Sequence, residues 1–415
     1  MKAAVVSELG APLEVHDVPV LSPGPGQILV KIEASGLCHT DIHAARGEWP
    51  VKPKIPLIPG HEGVGIVTKL GEGELPVADG DRVALPWLGH ACGHCRHCVA
   101  GWETYCQQPQ YMGYTMDGSY AEYTVAYASH VVKVPDGVDA FDAAPLTCAG
   151  VTTYKGLKVA HPQPSETVMV VGIGGLGHLG LQYARAFGST TVAVDVEEEL
   201  QLAKELGADH VVDARGDLLE SMTGIGGADV ALVTVPSPSA MQTAHAALSP
   251  NGRMVIVGLP AHDRLELPIF DTVLTGKSVI GSLVGTRNDL ADCFALHARG
   301  LTKVVAERRQ LETSTTASRR SWPAAFPPGS CSTCAEPHGS GRPTRGDKGR
   351  QNDRRCASRL RSARGLLCAR LTLAPSERIR AADGHQLKAK QLTADTADIE
   401  RDARTAEPSG PPAEN

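Results

Sequence analysis

Aromatic side chains are scarce. Phe, Trp and Tyr together make up 4% of the 415 residues, against 44 glycines, a balance that suits a strand-rich α/β protein. Neither sign of charge dominates. Forty Lys and Arg face 46 Asp and Glu, for a net charge of −6 and a pI near 6.2, which excludes a global nucleic-acid-binding surface. Apolar runs never approach the roughly 18 residues of a membrane span. No repeat recurs at a solenoid period. Met1 to Val6 lead straight into a strand-like pattern and then Gly10, without the apolar core of a signal peptide. The expected location is therefore the cytoplasm. The length suggests two domains and extra material.

Residues 1 to about 145 read as short strands and turns. Val18–Val20, Gln27–Ile32 and Gly65–Lys69 are strand-like, with Pro23-Gly24-Pro25-Gly26, Gly71-Glu72-Gly73 and Asp79-Gly80-Asp81 between them. Near residue 150 the pattern changes. Buried-strand runs at Thr167–Val171, Thr190–Val194, His210–Val212, Val230–Val235 and Arg253–Val257 alternate with helical stretches at Leu179–Phe187 and Glu197–Leu206. That alternation predicts right-handed βαβ units and a parallel sheet.

Eleven cysteines are present, and their placement carries the information. Cys92, Cys95, Cys98 and Cys106 lie in one loop. In a reducing compartment such a cluster is a metal site rather than a disulfide set. Four thiolates at this spacing close a tetrahedron around Zn²⁺ and leave no open position. By analogy with zinc fingers, such a site contributes on the order of 10–16 kcal/mol to folding. A nucleic-acid-binding zinc ribbon would need a second, distant cysteine pair and a basic surround, and the loop has neither.

A second set is spread through the sequence: Cys38 in Gly36-Leu37-Cys38-His39-Thr40-Asp41, His61 in Gly60-His61-Glu62-Gly63-Val64-Gly65, and Cys148 in Leu146-Thr147-Cys148-Ala149-Gly150. Two Cys and one His with a free fourth position suit a catalytic zinc, although a lone buried cysteine is more often an apolar filler. Together with the four-cysteine loop, in this order, these motifs resemble the zinc-containing alcohol dehydrogenases of the medium-chain family, close to the bacterial and yeast tetrameric kind. The resemblance runs from residue 1 to about Thr313. It implies an α/β fold: a mostly β, GroES-like catalytic zinc domain over residues 1–150, a Rossmann doubly wound NAD-binding domain over 151–285, and a return toward the first domain over 286–313. It implies that Cys38, His61 and Cys148 hold the catalytic zinc, that Glu62 lies near it as an alternate ligand, and that Asp41 orients His61. It also implies that Thr40 and His43 carry the proton to solvent, with a surface histidine as the alternative for His43. Trp49 is assigned to the substrate pocket, with a core tryptophan as the alternative. Such a zinc polarises a bound alcohol as a Lewis acid, so that hydride can pass to nicotinamide.

Gly172-x-Gly174-Gly175-x-Gly177 directly follows the strand ending at Val171 and precedes a helix. That context marks a dinucleotide site, with the pyrophosphate at the helix N-terminus. Asp195 lies about 20 residues on, where a carboxylate bonds the ribose 2′-OH and repels a 2′-phosphate. NAD is therefore expected over NADP; the alternative for Asp195 is a helix cap. Val257-Gly258-Leu259 and Val284-Gly285-Thr286-Arg287 resemble the family's nicotinamide-side segments, with Arg287 either at cofactor phosphate or an exposed cation. The expected cofactors are two zinc ions and NAD per subunit. The expected partners are a small alcohol or aldehyde, no nucleic acid, no membrane and other copies of the chain, a tetramer by resemblance.

After Thr313 the resemblance stops, and residues 314–415 are rich in Arg, Ser, Pro and Ala, a composition that reads as disordered. Restoring one base before Ser314 and re-reading the frame gives a helix, turn and strand like the family's ending. The expectation is a frameshifted, aberrant tail, so that Cys331 and Cys334 form no metal motif. Two other functions stay open: a polyol- or formaldehyde-type zinc dehydrogenase, and an inactive zinc- and nucleotide-binding product of the altered gene.

Overall fold

The computed structural model describes residues 1–260, 264–311 and the backbone of 367–369. The first half is built around β1 (Gln27–Gly36). Strand β1 pairs antiparallel with β2 (Gly63–Leu70), which pairs with β3 (Arg82–Leu85). The first half of β1 also pairs with β4 (Tyr123–Tyr127), and β3 with β5 (Val132–Lys133). A short helix, α1 (His39–Arg46), leaves the end of β1 and stops at Gly47, whose φ of +64° is the left-handed conformation of a helix C-terminus.

The second half opens with α2 (Val151–Ala160). Six parallel strands follow: β6 (Thr167–Val171), β7 (Thr190–Asp195), β8 (His210–Asp213), β9 (Ala228–Val233), β10 (Leu248–Ile256) and β11 (Ser278–Gly281). Their spatial order is β8-β7-β6-β9-β10-β11, the 3-2-1-4-5-6 order of the dinucleotide-binding sheet. Helix α3 (Gly177–Ala186) crosses from β6 to β7, and β6 reads as a continuous apolar run because helices cover both its faces. Val168, Met169 and Val170 are fully buried, each worth about 1.5–3 kcal/mol relative to exposure. Helices α4 (Ile269–Thr275) and α5 (Arg287–Ala298) complete this half.

Several element bounds differ from the sequence reading. The early strand is Glu14–Asp17, not Val18–Val20, because its backbone pairs with Lys2–Val5. The strand expected at Val230–Val235 ends at Val233, and the one expected at Arg253–Val257 begins at Leu248. Residue 150 falls inside helical turns that run from Ala140 to Ala160. One apolar core passes beneath them, from Ala34 and Val64 of the first sheet to Val170 and Leu232 of the second. The tail lies outside the described residues except for β13 (Leu367–Ala369), a strand rather than the expected disorder. It pairs with Ser35 and Gly36 of β1 and with β12 (Glu307–Arg309), where the end of β1 presents open backbone groups.

Helices α2 and α5 are tied by a buried carboxylate. Asp289 receives Lys158 at 2.8 Å and Lys155 at 3.1 Å and caps α5 with Thr286. Burial raises its pKa, but the hydrogen bonds from Lys158 and Thr286 outweigh that and hold it down at about 2. A depressed carboxylate stabilises the fold above its unfolded pKa, roughly 4, and that stability is lost as pH falls toward the folded value. Asp289→Asn is therefore expected to lower Tm at pH 7 and to flatten the fall in Tm between pH 4 and 2. An unchanged acid slope would contradict this role.

Candidate metal and cofactor sites

Cys38 caps the start of α1, and His61 follows Gly60, whose φ is +100°. A side chain at Gly60 would meet the Tyr120 ring at 2.6 Å, so only glycine lets the chain turn His61 inward here. Cys148 sits in a single π-helical turn, Leu146–Gly150, a distortion that frequently marks functional positions. These elements bring ligand atoms of Cys38, His61, Glu62 and Cys148 within 4.8 Å of one another. A Cβ at Gly36 would lie 1.6 Å from Glu62 Oε2, so the carboxylate reaches the cluster over a bare backbone.

The histidine is held from behind. His61 Nδ1 donates to Asp41 Oδ1 at 2.9 Å, and the same oxygen accepts the Gly60 N–H at 3.0 Å. Asp41 Oδ2 accepts the Cys38 N–H at 3.0 Å and lies 2.9 Å from the Tyr120 hydroxyl. His61 Nε2, the nitrogen turned away from Asp41, is buried without any hydrogen-bond partner. A buried ring nitrogen left unpaired beside two thiols is costly, and a metal ion in place of a proton would satisfy it. Protonation follows from the crowding. The Cys148 thiol, bonding to Cys38, holds Cys38 well below the ordinary thiol range, and the same bond pushes Cys148 up. Burial, with Cys38 beside it, pushes Glu62 up. Two sulfurs and one imidazole competing for protons in a buried volume are a donor set that fits Zn²⁺, which takes deprotonated thiols and neutral imidazole.

Cys92, Cys95, Cys98 and Cys106 also lie within 4.8 Å of one another by their sulfurs. Cys95 Sγ is 3.5 Å from Cys98 Sγ, and Cys92 Sγ is 4.0 Å from it. These spacings are far too long for a disulfide and bracket the edge of about 3.8 Å that a tetrahedron with 2.3 Å Zn–S bonds requires. Backbone N–H groups of Cys92, Cys95 and Gln108 donate to the sulfurs at 3.2–3.3 Å. The N–H of Cys98 above all holds the Cys95 thiol down at about 6, while burial pushes Cys98 up to about 12. The lobe's fully buried core is Leu88, Ala91 and Cys106, with Tyr111 and the other three cysteines packed on it, a small core of the kind that a metal commonly staples.

The glycine turn lies at the C-terminal ends of β6 and β9. Gly172 has φ +93°, and a side chain there would strike Thr234 and Val235; a Cβ at Gly177 would lie 1.6 Å from Gly172 O. Gly174 differs: a Cβ there meets nothing within 4 Å. Two glycines therefore serve the turn and its packing, while Gly174, with Gly175 beside it, leaves an open backbone face that suits a pyrophosphate. Asp195 ends β7, its carboxylate accepting the N–H of Ile173 at 2.5 Å and of Val196 at 2.6 Å. It fixes the turn to the neighbouring strand and keeps acceptor capacity for hydroxyls.

Other expected residues fall as follows. Thr40 and His43 are half-buried on α1, three positions apart and so on one face. His43 pairs with Glu48 and stacks on Trp49 with ring centroids 5.5 Å apart. Trp49 is half-buried and meets Trp87, which in turn stands edge-on to His61 at 5.2 Å. Val257 buries its side chain in the core, leaving only its backbone at the sheet's C-terminal edge. Arg287 is an exposed cation, its side chain 41% accessible, but a paired one: its guanidinium is bonded to Glu103 and to Ser129 O, and its backbone N–H donates to Glu103 Oε1 at 3.0 Å. It joins the four-cysteine lobe to the start of α5. Burial raises Glu103, but these bonds to Arg287 outweigh it and hold the carboxyl below its usual range. Tyr120, Trp87 and Glu103 carry no motif signal in the sequence, since each acts through a partner far along the chain.

A mostly β metal-binding half joined to a doubly wound parallel sheet with a glycine turn defines a zinc-binding dehydrogenase. Residues 24–136 match the alcohol dehydrogenase GroES-like domain, and residues 175–299 match the zinc-binding dehydrogenase domain. An alcohol dehydrogenase of Geobacillus stearothermophilus is 50% identical over 315 residues, 75% of this chain and 93% of that one. The crystal structure of the alcohol dehydrogenase of the archaeon Aeropyrum pernix superimposes with a TM-score of 0.72 at 33% identity, covering 78% of this chain and 97% of that one. Acetophenone reductase of Geotrichum candidum, solved with NAD, gives 0.70 at 30% identity, covering 78% and 94%. The chain belongs to the zinc-dependent alcohol dehydrogenases of the medium-chain dehydrogenase family.

Proposed function

We propose that this chain catalyses reversible, NAD-linked oxidation of small primary and secondary alcohols, with Cys38, His61 and Cys148 as ligands of a catalytic zinc and Cys92, Cys95, Cys98 and Cys106 as ligands of a structural one. The observation that carries the reading is the buried, unpartnered His61 Nε2 facing Cys38, Cys148 and Glu62. When bound, zinc supplies Lewis-acid polarisation of the alcohol oxygen and NAD accepts the hydride. The protein's own groups do the rest. Asp41 fixes the tautomer and aim of His61. Thr40 takes the hydroxyl proton and His43 passes it outward. The aromatic wall of Trp49 and Trp87 limits substrate size, and Glu62 stands ready as an alternate ligand. The four-cysteine lobe favours this reading over a polyol-type dehydrogenase.

The glycine turn, with the backbone at Val257 beside it, forms the cofactor cradle, and Asp195 gives it a preference for NAD. The NAD in the acetophenone reductase structure supports that assignment. Arg287, committed to Glu103, is left out of the cradle. Asp195→Asn is expected to lower kcat/KM for NAD by about 10–100-fold and to narrow the gap to NADP, on the scale of one or two charged hydrogen bonds. A wild-type preference for NADP would overturn the assignment.

Association with further copies of the chain is part of this proposal. Helix α4 exposes Ile269, Phe270, Val273 and Leu274 at 69–79% of their surface and leads directly into β11, the end of the strand order. An apolar patch next to an open sheet edge suits a self-complementary contact. Phe270→Asp with Val273→Asp is expected to lower the oligomeric state measured by light scattering; an unchanged mass would exclude this face. No helix among the described residues is long and apolar enough to cross a membrane. A cytoplasmic location is proposed from thiol sites that need a reducing compartment.

A further inference from the structure

Helix α3 begins at the glycine turn, and its second residue, His178, points inward and is 1% exposed. Its two ring nitrogens reach in opposite directions. Nδ1 lies 3.1 Å from Gly174 O, and Nε2 lies 3.3 Å from the backbone N of Val305. A carbonyl must accept and an N–H must donate, so the ring is neutral with its proton on Nδ1; burial, which lowers its pKa, favours that form. One helical turn on, Gln182 continues the pattern. Its Nε2 donates to Lys303 O at 3.0 Å and its Oε1 accepts the Lys303 N–H at 2.7 Å. Together the two side chains hold the extended segment 303–305 as a neighbouring strand would. That segment is the connection back to the catalytic half: Val304 and Ala306 pack on the shared core, and Leu311 is buried in the core of the first half.

We infer that His178 is a positioning residue for the cofactor: it holds the Gly174 carbonyl at a fixed spacing from the return segment and so sets the open backbone face on which the pyrophosphate rests. This rests on the assignment of the glycine turn to NAD. The chemistry supports it. The Gly174 carbonyl also accepts the His178 backbone N–H at 3.1 Å, and no protein atom approaches Gly174 from the Cβ side, so the imidazole adds the one lateral bond that ties this peptide to the return segment. A side chain that bonded only Gly174 would leave the part-buried Val305 N–H without this partner.

The test is NADH titration of the full-length zinc enzyme by nicotinamide fluorescence, with alcohol KM and kcat measured at saturating NAD. His178→Phe keeps the bulk and removes both bonds. It is expected to raise the NADH Kd about tenfold, the scale of one buried hydrogen bond, while alcohol KM and kcat stay within about twofold. A general packing role would move all three together, and that result would overturn the inference. A matched pair decides the question if His178→Phe fails to fold. The Asn amide sits near the position of Nδ1 and keeps the Gly174 bond. The Gln amide sits near Nε2 and keeps only the bond to Val305. His178→Asn is expected to bind NADH within about threefold of wild type and His178→Gln about tenfold more weakly; equal affinities would overturn the inference. Wild-type protein that binds no NADH would overturn the cofactor reading itself, a different result from an unaffected variant.

Discussion

Cys148→Ser is expected to leave one zinc per chain and to lower turnover by about 10³-fold or more. The two candidate clusters share no residue, so loss of one ligand empties one site. Serine does not ionise as a thiol does, and a cysteine deprotonates when it coordinates. Cys148 comes from the π-helical turn, whereas Cys38 and His61 come from the ends of β1 and of the loop before β2. Removing it leaves Cys38 and His61, with only the alternate ligand Glu62 beside them, a set that holds the ion far more weakly than two thiolates and an imidazole do. The Lewis-acid contribution lost is several kcal/mol, and each 1.4 kcal/mol is a factor of ten in rate. Because the four-cysteine lobe is untouched, the fold should persist, with far-UV circular dichroism unchanged and zinc content halved. A variant that kept both zinc ions and near-normal turnover would remove Cys148 from the ligand set.

Cys98→Ser is expected to have the larger effect on stability and only an indirect one on chemistry. The lobe has only a small apolar core, and a structural zinc of this kind contributes an amount comparable to the whole stability of a domain, about 5–15 kcal/mol. Partial retention by three sulfurs reduces the loss, so a fall in Tm of more than about 10 °C is the expected scale. The damage should spread beyond the lobe. Glu103, three residues before Cys106, is bonded to Arg287 at the start of α5, and Lys155 of α2 stacks on Trp102 at 4.5 Å. An unfolded lobe would leave Arg287, Lys155 and the Asp289 network without their neighbours. Thermal unfolding followed with zinc release checks this. A Tm within about 2 °C of wild type would mean that the lobe folds without its metal.

The parallel sheet was the most legible part of the fold. Its central strands are short apolar runs, and burial on both faces leaves little choice of register. The four-cysteine site was legible from spacing alone, since local chain geometry brings the sulfurs together. The open cluster was not, because Cys148 reaches His61 only through the packing of the turns at 140–160 against β1 and β2. The strand at Glu14–Asp17 was missed because its residues are polar and mostly exposed, and only pairing with Lys2–Val5 makes it a strand. The pairing of Arg287 was not legible for a similar reason: its partner, Glu103, is 184 residues away. Tyr120 and His178 gave no signal, because a buried tyrosine or histidine looks like any other until the groups facing it are known.

Zinc content and alcohol-dependent NADH formation, measured on the same full-length preparation, test the central claim most directly. Two zinc ions per chain, with nicotinamide reduction that depends on a small alcohol and is lost in Cys148→Ser, is the predicted result. Protein that carries both zinc ions and binds NADH yet forms none from any small alcohol would contradict it.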